Sequence, residues 1–127
     1  MPSKKILVVE DQEEIREIIA LSLEEIGGWQ VFFAEPGPEV ILRAQAEQPD
    51  AILLDANMPR MDGPSTFQAL RANPQTQHIP VILLTASVQK SDAERFAAFS
   101  FAAVLAKPFD PLTLPAQISA ALGWEST

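Results

Sequence analysis

Short runs of continuously apolar residues recur along the chain and are separated by longer amphipathic segments. Four runs have the length of a strand, at 6–9, 31–33, 51–54 and 81–84, and a weaker one lies at 102–106. Apolar and polar residues do not alternate within them, which is typical of strands that are buried on both faces of a parallel sheet.

The segments between these runs have helical periodicity. The first carries an apolar stripe from Ile15 to Ile26 and ends at Gly27 and Gly28, and the second spans about residues 38–48. The third begins at Gly63. The fourth covers about residues 91–99 and starts with a capping box of Ser91 and Glu94. Because Pro115 disturbs its first turn, the regular part of the fifth is expected to begin near residue 113 or 114.

Five strands that alternate with five helices predict an α/β fold. Right-handed crossovers then give a doubly wound parallel sheet of five strands with helices on both faces. The 127 residues contain no linker and no repeat, so we predict one domain, residues 1–127, with no output domain.

Composition and charge exclude several classes of function. The net charge of −8 and the lack of a basic patch argue against a nucleic-acid partner. The absence of cysteine excludes disulfides, Cys-zinc sites and thiol catalysis. No apolar run is long enough to span a membrane and the N-terminus lacks a signal-peptide pattern, so we expect a cytoplasmic protein without a membrane partner.

Polar residues follow four of the five predicted strands directly: Glu10 with Asp11, then Asp55, Thr85 and Lys107. In open α/β sheets the ligand crevice lies beyond the carboxyl ends of the strands, where the winding reverses. If strands one and three are neighbours there, three carboxylates converge and raise one another's pKa values. A hard cation such as Mg²⁺ relieves that repulsion, and a lysine and a hydroxyl suit a phosphoryl group.

Each of these residues also has an ordinary structural interpretation. An acid after a strand is commonly a turn former or a helix N-cap, and Lys-Pro commonly opens a loop. Their coincidence at successive strand ends favours a phosphoryl site with an aspartyl nucleophile.

The motifs "VVED", "LLDANMPRMDG", "PVILLTA" and "AKPF" occur in this order, and with them the chain resembles the receiver domain of bacterial two-component response regulators over nearly its whole length. The resemblance implies a flavodoxin-like sheet of order 2-1-3-4-5, like that of the single-domain chemotaxis receivers. It implies a phosphoacceptor, Asp55, and assigns the phosphoryl group to Thr85 and Lys107. It also implies a cis peptide bond between Lys107 and Pro108. For Mg²⁺ it implies Glu10, Asp11, Asp55 and the main-chain carbonyl of Asn57.

Some positions depart from the family pattern or lie outside its site. Val104 stands where the family has its switch aromatic, and Ser100 replaces a usual glycine. The phenylalanines Phe96, Phe99 and Phe101 either pack in the core or, with Val104, form an apolar surface for a downstream protein. Asp62 is expected to be a turn or cap acid, and His78 a solvated loop residue.

Three functions follow from these residues. In the first, a stand-alone receiver accepts a phosphoryl group from a sensor histidine kinase or phosphotransfer protein and signals through protein–protein contacts, catalysing only its own phosphorylation and dephosphorylation. The second is a degenerate receiver that acts as a constitutive interaction module. The third, an aspartyl-phosphate phosphatase of the haloacid-dehalogenase type, is disfavoured because Asn57 cannot serve as the general acid.

Overall fold

The computed structural model describes residues 4–35, 38–55, 57–58, 61–85, 101–107 and 109–124. Its strands are β1 (Lys5–Val9), β2 (Gln30–Ala34), β3 (Ala51–Asp55), β4 (Asn57–Met58), β5 (Met61–Asp62), β6 (Val81–Thr85) and β7 (Ala103–Ala106). Its α-helices are α1 (Glu13–Leu21), α2 (Pro38–Glu47), α3 (Gly63–Ala72) and α4 (Leu114–Leu122). A π-helix, Ser22–Ile26, continues α1. The fourth predicted helical segment lies outside the described residues.

The main sheet has the order β2-β1-β3-β6-β7, and all of its pairs are parallel. Because β6 and β7 are the fourth and fifth predicted strands, the predicted order 2-1-3-4-5 is confirmed. The prediction of burial on both faces holds for the three central strands, whereas the edge strands β2 and β7 are only partly buried.

The segment after β3 contains two short strands that the sequence analysis did not predict. Here β4 and β5, of two residues each, pair antiparallel, with Asn57 opposite Asp62 and Met58 opposite Met61. Strands this short leave no detectable alternation in a sequence, which explains why they were missed. Helix α3 begins directly after this pair.

Two apolar cores form on the two faces of the sheet, because successive side chains of a strand point to opposite sides. One core joins Leu7, Leu54 and Leu83 to α2 and α3. The other joins Ile6 and Ile82 to α1 and α4. Burial of these side chains fixes the strand register, since a shift by one residue would expose them.

The element ends agree with the predicted stop and start signals. The π-helix is followed by Gly27, and α4 begins at Leu114, with Pro115 in its first turn. Helix α4 is followed by Gly123, whose φ of 71° is the left-handed conformation that glycine adopts without strain.

Trp29 and Trp124 are both partly buried, and their rings meet edge to face with centroids 5.3 Å apart. In the described part of the chain, no helix is both long and apolar enough to cross a membrane.

Candidate functional site

Three acidic side chains meet at the carboxyl edge of the sheet. Val9 pairs with Leu54, so the next residues along, Glu10 and Asp55, are brought to neighbouring positions on adjacent strands. One carboxylate oxygen from each of Glu10, Asp11 and Asp55 lies within 4.8 Å of the others. The predicted convergence of the acids is therefore present in the structure.

Glu10 is the most buried of the three, with 1% of its surface exposed. Its Oε1 accepts a hydrogen bond from the main-chain amide of Gln12 at 3.1 Å. Its Oε2 is buried and has no hydrogen-bond partner among the described residues. The nearest cation to that oxygen that the structure shows is Nζ of Lys107, at 3.6 Å.

The pKa of Glu10 is raised to about 7, first because a charged carboxylate loses its hydration when it is buried inside the protein. The adjacent Asp55 is the second cause, since a protonated Glu10 can donate to its carboxylate and an ionised one is repelled by it. The Gln12 amide and the charge of Lys107 act in the opposite direction. The predicted effect of like charges on pKa is thus present at Glu10, although burial is the larger cause.

Lys107 supplies a positive charge to this cluster. Its Nζ lies 2.8 Å from Oδ2 of Asp55, a buried carboxylate, and donates a hydrogen bond to it. The resemblance assigned Lys107 to a phosphoryl group, and in the structure its partners are the two carboxylates. The same ammonium group can contact an oxygen attached to Asp55, because it already lies beside that side chain.

Thr85 ends β6 and is 1% exposed. It stands next to Leu84, which pairs with Asp55 in the sheet, and its carbonyl accepts the main-chain amide of Lys107 at 2.8 Å. This bond fixes the start of the loop that carries Lys107 relative to the end of β6. The main chains of Thr85 and Lys107 are therefore joined directly at the carboxyl edge.

Several predicted features are described only in part or not at all. Asn57 is described by its backbone in β4, so its carbonyl contribution to a metal stays a prediction. The role of Asp62 as a turn or cap acid also stays a prediction; its backbone lies directly before α3. The peptide bond to Pro108 and the positions Phe96, Phe99 and Ser100 fall outside the described residues.

His78 is exposed in the segment before β6, at the end of the sheet opposite Thr85. This position confirms the prediction of a solvated loop residue.

The two described positions of the Phe-rich region differ in burial. Phe101 is partly buried against the core, and its ring packs on that of Phe67 with centroids 4.5 Å apart. Val104, on edge strand β7, is 44% exposed. The packing interpretation therefore applies to Phe101, whereas Val104 places a small apolar side chain on the surface where the family has its aromatic.

The acidic cluster fits a hard divalent cation. Such ions prefer carboxylate and carbonyl oxygens, and the cluster offers three carboxylates from two adjacent strand ends. The buried Oε2 of Glu10, which has no hydrogen-bond partner among the described residues, is the kind of group that a metal, or a water bound to it, satisfies. Glu10, Asp11 and Asp55 could hold the ion.

One residue connected to the site was missed from the sequence. Ser22 lies on the inward face of the helix between Ile15 and Ile26, and its hydroxyl donates to the carbonyl of Pro111, in the loop that follows Lys107. The sequence signal was a polar residue, Ser22, at a position on the apolar stripe of the helix where another hydrophobic residue would be expected.

Comparison with known proteins agrees with this geometry. Residues 6–119 match the response regulator receiver domain family. Over 120 residues the chain is 37% identical to the probable chemotaxis protein CheY of Rhizobium etli, an alignment that covers 94% of this chain and 92% of that protein. It is 34% identical to the alkaline phosphatase synthesis transcriptional regulatory protein PhoP of Bacillus subtilis, over 94% of this chain, but it spans only about half (49%) of that relative.

Two solved structures have the same fold. The chemotaxis response regulator CheY4 of Vibrio cholerae superimposes with a TM-score of 0.84 at 30% identity, covering 94% of this chain and 98% of that one. The receiver domain of the sensor histidine kinase PA1611 of Pseudomonas aeruginosa gives a TM-score of 0.83 at 30% identity, covering 95% and 98%. The latter structure has a magnesium ion coordinated in its active-site cleft.

Proposed function

Because the chain belongs to the response regulator receiver domain family, we propose that it accepts a phosphoryl group on Asp55 from a histidine kinase or a phosphotransfer protein. One observation carries this proposal. Asp55 is a buried carboxylate at the carboxyl edge of the sheet, with the Lys107 ammonium 2.8 Å from its Oδ2 and two further acids beside it. A structural turn acid needs none of these neighbours.

Glu10, Asp11 and Asp55, with the main-chain carbonyl of Asn57, would hold Mg²⁺ at this site. The magnesium ion in the active-site cleft of the Pseudomonas aeruginosa receiver domain supports this assignment. When bound, the ion supplies positive charge to the carboxylates and to the oxygens of the incoming phosphoryl group.

In the transfer step, a carboxylate oxygen of Asp55 forms a bond to phosphorus while the P–N bond of the donor's phosphoimidazole breaks. The bonding electron pair returns to the ring nitrogen, and the imidazole leaves in its neutral form because its second nitrogen keeps a proton. Lys107 holds the nucleophile in place beforehand and can move its contact to a phosphoryl oxygen as charge develops there. The Thr85 hydroxyl would donate to another phosphoryl oxygen.

The output of the phosphorylated domain would be a change in protein–protein contact. The new charge at Asp55 would shift the domain between two populations, with Thr85 and the loop of Lys107 responding first. We propose that the downstream protein meets the predicted surface of Phe96, Phe99, Phe101 and Val104 at Val104, because Phe101 packs against the core and the other two lie outside the described residues. Val104 is the described residue of this set that presents an apolar side chain to solvent.

Three expectations about the protein as a whole stay predictions. These are its action as a single, stand-alone domain, its cytoplasmic location, and its turnover of no substrate other than its own phosphoryl group. The mass of the protein isolated from its native source tests the first.

One observation favours a second candidate, a constitutive interaction module. The exposed Val104 lacks the ring that would couple movement of Thr85 to the surface in the usual receiver. Beryllofluoride with Mg²⁺, a stand-in for the phosphoryl group, separates the two candidates by amide chemical shifts. Shifts that reach β7 would support signalling, whereas shifts confined to Glu10, Asp11 and Asp55 would support the module.

Phosphoryl acceptance itself is tested with a small phosphodonor and Mg²⁺. The wild-type protein should gain one base-labile acyl phosphate, and neither Asp55→Asn nor wild type in EDTA should match its rate. Equal labelling of Asp55→Asn would contradict the proposal. Sustained hydrolysis of a phosphomonoester by the purified protein would instead favour the phosphatase hypothesis.

A further inference from the structure

Ser22 is a buried polar residue for which the proposed transfer step has no direct use. It is 2% exposed and begins the π-helix that continues α1. The neighbouring residues Ile19 and Leu23 pack in the core between the sheet and α4. A serine in such surroundings is expected to have a hydrogen-bond partner that justifies its burial.

That partner lies 89 residues away along the chain. The Ser22 hydroxyl donates a short hydrogen bond to the main-chain carbonyl of Pro111. The π-helical geometry holds Ser22 at this point, because its own carbonyl accepts the amide of Gly27, five residues on, at 3.2 Å. π-Helical turns are uncommon and occur frequently at functional sites.

Pro111 belongs to the loop that joins Lys107 to α4. The amide of Lys107 donates to the carbonyl of Thr85 at 2.8 Å, which fixes one end of this loop. Further along, the side chain of Asp110 accepts a hydrogen bond from the amide of Leu112 at 2.9 Å. The main-chain carbonyl of Asp110 accepts one from the amide of Thr113 at 3.0 Å. These bonds make residues 110–113 a closed turn, and Ser22 attaches that turn to the helix.

The two elements joined by this bond adjoin the opposing charges of the site in the sequence. Glu10 and Asp11 precede α1 and are separated from its first residue, Glu13, by Gln12, whereas the loop begins at Lys107. We therefore expect the distance between the Lys107 ammonium and the carboxylates to depend on how the loop packs against the helix. Among the described side chains of α1 and its π-helical extension, that of Ser22 makes the hydrogen bond to this loop.

We propose that Ser22 is a positioning residue for Lys107, holding the loop of Pro111 against α1 so that the ammonium group stays in contact with Asp55. The effect of Ser22 on the rate of phosphorylation rests on the proposed phosphoryl transfer. Its effect on the position of the loop rests on the hydrogen bond alone. It goes beyond the motif residues, because Ser22 touches neither the carboxylates nor a phosphoryl group.

The first test compares rates of phosphorylation by a small phosphodonor. Ser22→Ala should slow the wild-type reaction by about tenfold, because small displacements of a charged group that aligns a nucleophile reduce rates strongly. Ser22→Thr, which keeps a hydroxyl, should restore most of the rate. Ser119→Ala, at a buried serine of α4, is the matched control and should leave the rate unchanged.

A double-mutant cycle separates positioning from general loosening. In a Lys107→Ala background, Ser22→Ala should have no further effect on the rate. The proposal would be overturned if Ser22→Ala slowed the reaction equally in the presence and absence of Lys107, or if it did not slow the reaction of the otherwise wild-type protein.

Amide hydrogen exchange gives a measurement that does not need phosphorylation. Ser22→Ala should lose protection at Lys107, Leu112 and Thr113 while the amides of β1 and β3 keep theirs. Loss spread evenly over the sheet would show a merely structural serine and overturn the proposal. If the wild-type protein takes up no phosphate, the proposed function fails, but the pattern of amide protection still decides whether Ser22 positions the loop. If Ser22→Ala does not fold, Ser22→Cys replaces it in the same exchange measurement.

Discussion

The buried carboxyl group of Glu10 makes the free energy of unfolding depend on pH, and replacing it with glutamine should remove that dependence. In the folded protein the pKa of Glu10 is about 7, raised first by burial and then by Asp55, against 4.5 for an unperturbed glutamate. The folded state therefore binds this proton more tightly than the unfolded chain does. Below pH 4.5 the carboxyl group is protonated in both states, so it does not lower the free energy of unfolding.

As the pH rises from 4.5 to 7, the unfolded chain ionises first and the folded protein loses stability. Above pH 7 the loss is complete. At 1.36 kcal/mol for each pKa unit, the difference between the two pKa values corresponds to about 3 kcal/mol. Glu10→Gln keeps an oxygen that can accept the Gln12 amide and gains an amide that can donate to Asp55, so it should recover most of this energy.

The assay is urea unfolding of both proteins in EDTA, at a series of pH values between about 4.5 and 8.5. We expect Glu10→Gln to be more stable than wild type by about 2–3 kcal/mol at the alkaline end and nearly equal to it at the acid end. Glu17→Gln, at an exposed glutamate of α1, is the control and should change stability by less than about 0.5 kcal/mol throughout. If Glu10→Gln is no more stable than wild type at about pH 8, or if its gain in stability does not change with pH, Glu10 does not carry the raised pKa.

Three other predictions concern the same site and the helix behind it. Asp55→Asn should lower the pKa of Glu10 below about 7, whereas Lys107→Met should raise it. NMR of the Glu10 carboxyl carbon measures both pKa values, and a shift in the same direction in the two variants would contradict the described contacts. At about pH 8, Mg²⁺ should raise the melting temperature of wild type more than that of Glu10→Gln, because the metal binds the deprotonated form; equal gains would exclude Glu10 as a metal ligand. Gly27→Ala, whose added Cβ would lie 2.7 Å from a main-chain oxygen, should cost about 1–3 kcal/mol in urea unfolding. Gly27→Ala without any loss of stability would contradict the described end of the π-helix.

The central part of the fold could be predicted from the sequence because burial leaves a simple pattern. The runs at 6–9, 51–54 and 81–84 became the three central strands, whose side chains are almost all buried. The edge strands were less distinct for a physical reason: β7 has one face partly in solvent and needs fewer large apolar residues. The antiparallel pair of β4 and β5 depends on backbone pairing over two residues, which leaves no periodic signal.

The residues of the candidate site could be predicted because they follow the strands directly. Parallel strands bring their carboxyl ends to one edge, so Glu10, Asp55 and Lys107 had to lie near one another. The contacts of Lys107 with the two carboxylates could not be predicted, because they depend on side-chain positions at the ends of three different strands. The bond from Ser22 to Pro111 was missed for the same reason, although a serine on an apolar helix face was visible in the sequence.

The identity of the phosphorylated residue tests the account most directly. After incubation with a small phosphodonor and Mg²⁺, borohydride reduction converts an aspartyl phosphate to homoserine, which peptide mass spectrometry locates. We expect homoserine at position 55 in the wild-type protein and at no position in Asp55→Asn. Homoserine at position 11, the hydroxy amino acid one methylene longer that reduction of a glutamyl phosphate leaves at position 10, or no conversion in wild type that has been shown to be folded, would contradict the assignment of Asp55 as the phosphoryl acceptor.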